Sequence, residues 1–383
     1  MTHRARRAVV TLYVATAALV AWQRGAADSN FTTFRIFRAS FWHLRAGLNL
    51  YAPYPAQQGA GAADLFKYSP TAALLFAPFA IAPYAVAVFA WSLLGALLLY
   101  HALAQLLPPG TSWIAALLVY ADLLASMQGL SSNALVAALI VLAYVALDRG
   151  QQLRAAVLVV LGTAIKLFPI VAIAFGVFQP RRRRLALVVG GIGVAALLLP
   201  LVVTSPIQLL AQYRGWATIE RLDAADVHFG RSAMHLLRGW IGGTWPNWTM
   251  QLAGLVILMA PFAWRRSRWR DAQFRLQGLV SLLIFAVLFN HQAERSSFVI
   301  AGTGVAIWCV APATHIRRRL PRFALGVLAL VGLGTLPLLA VWIGVQFDLH
   351  GWPADRVATP AAPPIPVPGF SGQDASSIPF GST

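Results

Sequence analysis

Apolar residues in this sequence gather into blocks of roughly 15 to 25 positions with almost no charge inside them. A helix of that length matches the hydrocarbon thickness of a bilayer, and a helix satisfies its own backbone hydrogen bonds where water is absent. Repeated blocks of this kind leave little freedom of fold class: they predict an all-α, polytopic membrane bundle. Composition agrees, with 58% hydrophobic and 11% charged residues and a mean hydropathy of +0.67. Soluble domains are about 45–50% apolar and about 25% charged, so an ordinary cytosolic enzyme is excluded.

The formal net charge of +18 raises the idea of a polyanion partner, but the placement of the charge argues otherwise. Of the 30 basic residues all but Lys67 and Lys166 are arginine, and they run between the blocks: Arg4, Arg6 and Arg7; Arg181 to Arg184; Arg265, Arg266, Arg268 and Arg270; Arg317 to Arg319. Clusters in short loops are the topogenic charge of the positive-inside rule, so no nucleic-acid partner is expected. The single cysteine, Cys309, lies inside an apolar block and excludes a disulfide framework.

The first block, Val9 to Trp22, follows basic residues and reads as an uncleaved signal anchor rather than a cleaved signal peptide, with the N-terminus cytoplasmic. Further blocks cover 71–107, broken at Pro78 and Pro83, then 113–125, 134–147, 155–178, 185–203, 250–264, 276–289, 298–313 and 323–345. The expectation is roughly ten crossings of the cell (inner) membrane. Residues 1–346 form one integral-membrane domain in this reading. The Pro- and Gly-rich segment 347–383 is expected to be an external, disordered tail. A loop over 24–70, a long polar loop over 204–248 and a turn over 291–296 fall on the external, periplasmic side. Nine acids do too, among them Asp28, Asp64, Glu220, Asp223 and Glu294, whereas Asp148 and Asp271 fall inside. Acid–base chemistry therefore belongs to the external face, whose loops form the active-site surface.

Lys166 interrupts the stretch AAVLVVLGTAIKLFPIVAIAFGVF, both of whose flanks carry arginine. One straight span cannot have both ends on one side. A hairpin of two short helices turning at Lys166-Leu167-Phe168-Pro169 resolves this, because Pro169 lacks a backbone donor and the residue before a proline avoids helix. Lys166 then stands at the tip, as a phosphate ligand or as a lysine snorkelling to the interface. His291, Gln292, Glu294 and Arg295 make a compact turn that can supply a base, a proton partner and an anion contact, or can be a solvated hairpin tip. Gln128-Gly129-Leu130-Ser131-Ser132-Asn133 has turn composition. No spacing here names a metal and no cofactor is predicted, with use of a divalent metal left open.

Several runs together resemble glycosyltransferase family 87. They are Phe41-Trp42-His43-Leu44-Arg45-Ala46-Gly47-Leu48-Asn49-Leu50-Tyr51, Phe66-Lys67-Tyr68-Ser69-Pro70, Gln128-Gly129 with Asn133, Ile165-Lys166-Leu167-Phe168-Pro169, Gly230-Arg231-Ser232, and Asn290-His291 through Ser297. They occur in family order between about residues 30 and 310. The resemblance implies a membrane hexosyltransferase of the C-type superfamily. Its donor would be a polyprenyl-phosphate sugar, mannose in type, and its acceptor a lipid-linked or cell-envelope glycan, with inversion at the anomeric carbon. Lys166, helped by Arg231 or Arg295, would hold the donor phosphate, and Tyr68, Gln128, Asn133 and Asp64 would contact substrate.

The acidic residue of the family pattern falls fourteen positions before Gly47, on Thr33. A threonine does not serve as base by itself. The candidates for that role are Glu294, favoured because it lies beside His291 and Arg295, and Asp28. His291 is their proton partner. The alternative that Thr33 keeps open is a non-catalytic membrane homologue or lipid-linked-sugar carrier.

Overall fold

The computed structural model describes residues 2–25, 32–53, 65–225, 230–243, 245–311, 325–326 and 335–350. The compact unit runs Met1–His350. Its described residues are helical, with no strand among them. Three helices, His3–Gly25, Tyr84–Leu106 and Arg182–Val202, are long and apolar enough to cross a membrane, and the pair Pro109–Leu118 and Tyr120–Gln128 passes the same test as one span bent by 52°. The chain is a membrane helical protein. Asn133–Asp148, Gln152–Ile165 and Ala272–Leu288 are apolar but shorter.

The helices have two kinds of end. At one end lie the arginines: Arg149 donates to Gln105 Oε1 (2.8 Å), Gln152 Nε2 to the Arg181 carbonyl (3.4 Å), and Arg275 pairs with Asp148 at 2.8 Å. At the other end the Gln128–Asn133, Ile165–Phe168 and Phe289–Ser297 connections meet around one cavity. Asn133–Asp148 runs between the two ends and is the centre of the bundle. Every one of its residues from Asn133 to Leu147 is buried. Small side chains permit close approach there: a Cβ on Gly95 would sit 3.4 Å from that of Ala134.

The break at Lys166 forms as expected. The helix Gln152–Ile165 stops, Lys166 is extended (φ −145°, ψ 140°), and a 3-10 segment Phe168–Phe178 returns toward the arginines. The Pro78 and Pro83 breaks likewise divide that block into Pro70–Leu75, Ala77–Ile81 and Tyr84–Leu106.

Two expectations change. The segment 204–248 is not an irregular loop: it folds into the helices Pro206–Ala225 and Ala233–Ile241. The first packs by its inner face on the 47–51 turn, where Gln212 accepts from Leu50 N–H (3.0 Å) and donates to the Leu48 carbonyl (2.9 Å). The turn itself depends on Gly47, whose φ of +70° ends the helix Thr32–Ala46 in the left-handed region. The second change is that the expected 24–70 loop contains this helix, Thr32–Ala46. The last described helix is Thr335–His350. Thr335 donates to the Arg231 carbonyl at the cavity end (2.8 Å), whereas His350 accepts from Arg265 at the arginine end. Residue 350 therefore stands at the arginine end. Residues 351–383 lie outside the described residues.

Candidate active site

The end of the hairpin sets the position of Lys166. Pro169 packs back on Gly162, where a Cβ would come to 3.0 Å from the Pro169 ring, and Lys166 N–H closes the helix on the Gly162 carbonyl (2.8 Å). The ammonium group then donates to Asn133 Oδ1 at 2.7 Å. Asn133 is buried and its own amide donates to Ser131 Oγ (3.2 Å) and Ser296 Oγ (3.1 Å). The Gln128–Asn133 connection thus joins the lysine to the 291–297 turn. Leu130 takes a positive φ of 44° within it, and its carbonyl accepts from Trp91 Nε1 (3.0 Å). Among the described residues Lys166 forms no ion pair. Glu294 is the carboxylate whose charge reaches it.

Glu294 is held by its backbone, whose N–H donates to Ser297 Oγ (3.3 Å) at the start of a short 3-10 turn. Arg295 beside it is turned to a different task. Its guanidinium meets Asp122 Oδ1 at 2.7 Å, and Asp122 is only 4% exposed. His291 Nδ1 lies 3.4 Å from Gln251 Nε2. The Gly230–Arg231 segment is laid against this turn, with Arg231 N–H donating to the Ala293 carbonyl (2.7 Å). Gly230 is required there: its φ is +107°, and a Cβ would overlap the His291 carbonyl oxygen.

The polar groups at the Lys166 tip and the 291–297 turn face one cavity of about 1280 Å³, large beside the roughly 300–1,000 Å³ of a typical ligand pocket. Lys166, Asn133, His291, Glu294, Arg295, Arg231 and Tyr68 line it, as does Thr33. Gln128 is exposed and does not. Asp28 and Asp64 lie outside the described residues. Part of the lining is apolar, from Leu167, Ile170, Trp248, Leu252, Leu255, Phe285 and Phe289. Trp248, Leu252 and Ile170 are more than half exposed while lining the cavity, so its rim is itself apolar.

A second polar wall was not singled out by the sequence. Lys67 pairs with Asp223 at 3.1 Å, and Trp216 Nε1 donates to Glu220 Oε1 (3.0 Å) and to the Lys67 carbonyl (3.3 Å). Burial pushes the Glu220 carboxyl above its ordinary value; the Trp216 N–H opposes this, Asp223 adds to it and Lys67 counters it. Trp216, Glu220 and Asp223 stand at i, i+4 and i+7, one helix face. That spacing was the available signal. Asp122 was likewise missed, a lone acid inside an apolar block. Among the described residues no group of three His, Cys, Asp or Glu side chains is placed to hold a metal.

Sequence comparison meets this geometry at one point. The model of glycosyltransferase family 87 matches residues 66–291, more than half of the chain and parts of both polar walls of the cavity. The chain belongs to glycosyltransferase family 87. No curated protein matches it. Membership makes it a membrane glycosyltransferase, an enzyme with a sugar donor and an acceptor. The match includes Lys67, Lys166, Glu220 and His291, and it ends just before Glu294.

Proposed function

We propose that this glycosyltransferase moves a hexose, mannose in type, from a polyprenyl-phosphate carrier to a lipid-linked or cell-envelope glycan. The observation that carries the reading is the convergence of Lys166, His291, Glu294 and Arg231, distant in sequence, on a cavity whose rim is apolar. A donor with a long hydrocarbon arm and a phosphate needs both an apolar entrance and a cation. Lys166 supplies the cation, since its contact partner is a neutral amide, and Arg231 lines the same cavity. Arg295, the other cation named for the phosphate, is already committed to Asp122.

In the reaction the acceptor oxygen forms a bond to the anomeric carbon as the bond from that carbon to the phosphate oxygen breaks, which inverts the centre. The hydroxyl proton passes to a carboxylate, and polyprenyl phosphate leaves carrying its negative charge to Lys166. Glu294 is the proposed base, with His291 as its proton partner and Asp28 as the other candidate. Tyr68, Asn133, Asp64 and Gln128 are the proposed substrate contacts, with Gln128 and Asp64 the least supported because one is off the cavity and the other is not described.

The arginine end is cytoplasmic by the positive-inside rule, in a cell (inner) membrane crossed roughly ten times, and the cavity is external. Residues 1–346 act as one domain. The test is a transfer assay with labelled polyprenyl-phosphate hexoses on purified protein, comparing wild type with Lys166→Ala, Glu294→Gln and Asp28→Asn. Transfer by wild type and its loss in Lys166→Ala are expected. Undiminished transfer by Glu294→Gln removes Glu294 as base, and binding of the donor without any turnover would favour a carrier.

A further inference from the structure

The donor reading accounts for the Lys166 wall and the apolar rim but leaves the second polar wall without a task. That wall is organised. Gln212, Trp216, Ile219, Glu220 and Asp223 face inward along the helix Pro206–Ala225, and Trp216, Glu220 and Asp223 reach the cavity. The Trp216 indole is fixed at its nitrogen by two acceptors, Glu220 Oε1 and the Lys67 carbonyl. Each carboxylate uses one oxygen within the wall, Glu220 Oε1 for the indole and Asp223 Oδ1 for Lys67. The other oxygen of each has no partner among the described residues. Partly exposed ion pairs add little to stability, so the Lys67–Asp223 pair is weakly explained as a brace.

We propose that Trp216, Glu220, Asp223 and Lys67 form the subsite for the acceptor carbohydrate, with a sugar ring against the indole and its hydroxyls donating to the two carboxylates. This rests on the transferase reading above. Ligand chemistry selects between the two walls. Two carboxylates against one ammonium repel a phosphate, which sends the anionic donor to Lys166. A neutral polyol is suited to the opposite composition: carboxylate oxygens accept strong hydrogen bonds from hydroxyls, the ammonium of Lys67 has donors beyond the one given to Asp223, and a flat aromatic face covers the apolar side of a sugar ring. The walls are also tied together, because Ser69, two residues from Lys67, donates to the Ala164 carbonyl (2.6 Å), two residues before Lys166. An acceptor on one wall and a donor on the other therefore share one rigid frame.

The experiment uses purified full-length protein, labelled polyprenyl-phosphate mannose as donor and octyl α-mannoside as the acceptor probe. Transfer, hydrolysis of the donor by water, and binding of the probe by saturation-transfer NMR are measured in wild type, Trp216→Ala, Trp216→Phe and Glu220→Gln. The expected result is a rise in KM for the octyl mannoside of about tenfold or more in Trp216→Ala and Glu220→Gln. Trp216→Phe, which keeps an aromatic face and loses the N–H, should fall between. Donor KM and donor hydrolysis should stay at wild-type values, which also shows that the variants are folded. Unchanged acceptor KM and unchanged probe binding would overturn the subsite, as would parallel loss of hydrolysis in Glu220→Gln and Trp216→Phe. Should wild type bind the probe through Trp216 yet neither transfer nor hydrolyse, the sugar subsite stands and the transferase reading fails; absence of probe binding in wild type refutes the subsite itself.

Discussion

Lys166 and Arg295 line the same cavity, yet the protein holds the two cations differently. Arg295 is matched at 2.7 Å by the buried carboxylate of Asp122. Among the described residues Lys166 bonds to the neutral Asn133 amide at the same distance and forms no ion pair. A buried charge opposed by its counterion is a clasp, and here it fixes the 291–297 turn to the helix Tyr120–Gln128. A cation contacted by an amide is oriented but not neutralised by a contact ion, so its charge stays available to an incoming anion. Proximity to a cavity does not by itself make a cation a ligand; what already occupies its donors decides.

The comparison is broken most severely at Lys166. Lys166→Met should lower transfer by at least about 100-fold while leaving the melting temperature near wild type, because a charge-assisted phosphate contact is worth a few kcal/mol in a water-poor site. Lys166→Arg should recover part of the rate. Arg295→Ala should show the reverse pattern. It leaves the Asp122 carboxylate buried without its partner, at a cost of about 2–4 kcal/mol, seen in a thermal melt as a drop that the double variant Arg295→Gln with Asp122→Asn largely restores. A loss of activity in Arg295→Ala at unchanged stability would instead make Arg295 a ligand.

Smaller effects sharpen the picture at the edges of the site. Gly230→Ala forces a side chain into the left-handed region and against the His291 carbonyl, costing about 1–3 kcal/mol and shifting Arg231. Transfer should fall several-fold without a change in acceptor KM. The smallest effect concerns Glu220, whose carboxyl is matched by an indole N–H where Asp122 has a guanidinium. Its pKa is raised, chiefly by burial, so between the unfolded and folded values the native state binds more protons than the unfolded chain. Its contribution is therefore most favourable below the unfolded value and declines as pH rises through the folded one. Glu220→Gln should gain slightly in melting temperature relative to wild type as pH goes from about 4 to 7; a variant-minus-wild-type difference that falls with rising pH would contradict this.

Much of the bundle was legible because bilayer crossing, proline breaks and lone charges leave local marks. Lys166-Leu167-Phe168-Pro169 announced both the hairpin and its tip, and the His291–Arg295 turn was marked by its run of polar residues between two apolar blocks. The 204–248 segment was not legible as a wall. Its inward face mixes Leu209 and Ile219 with Gln212, Trp216, Glu220 and Asp223, so it lacks the continuous apolar stripe that marks a packed helix. Pairing across long sequence distance was equally hidden. Asp122 and Arg295 are 173 positions apart, and nothing local in either stretch distinguishes a clasp from an open ligand. Likewise the placement of His350 beside Arg265 depends on a tertiary contact that hydropathy does not encode.

The most direct test of the contrast between the two cations is the affinity of polyprenyl phosphate, without any acceptor, for wild type, Lys166→Met and the Arg295→Gln with Asp122→Asn double variant, measured by titration in detergent. The account predicts at least tenfold weaker binding for Lys166→Met and near wild-type binding for the double variant. Equal binding by Lys166→Met, or a larger loss in the double variant, would contradict it.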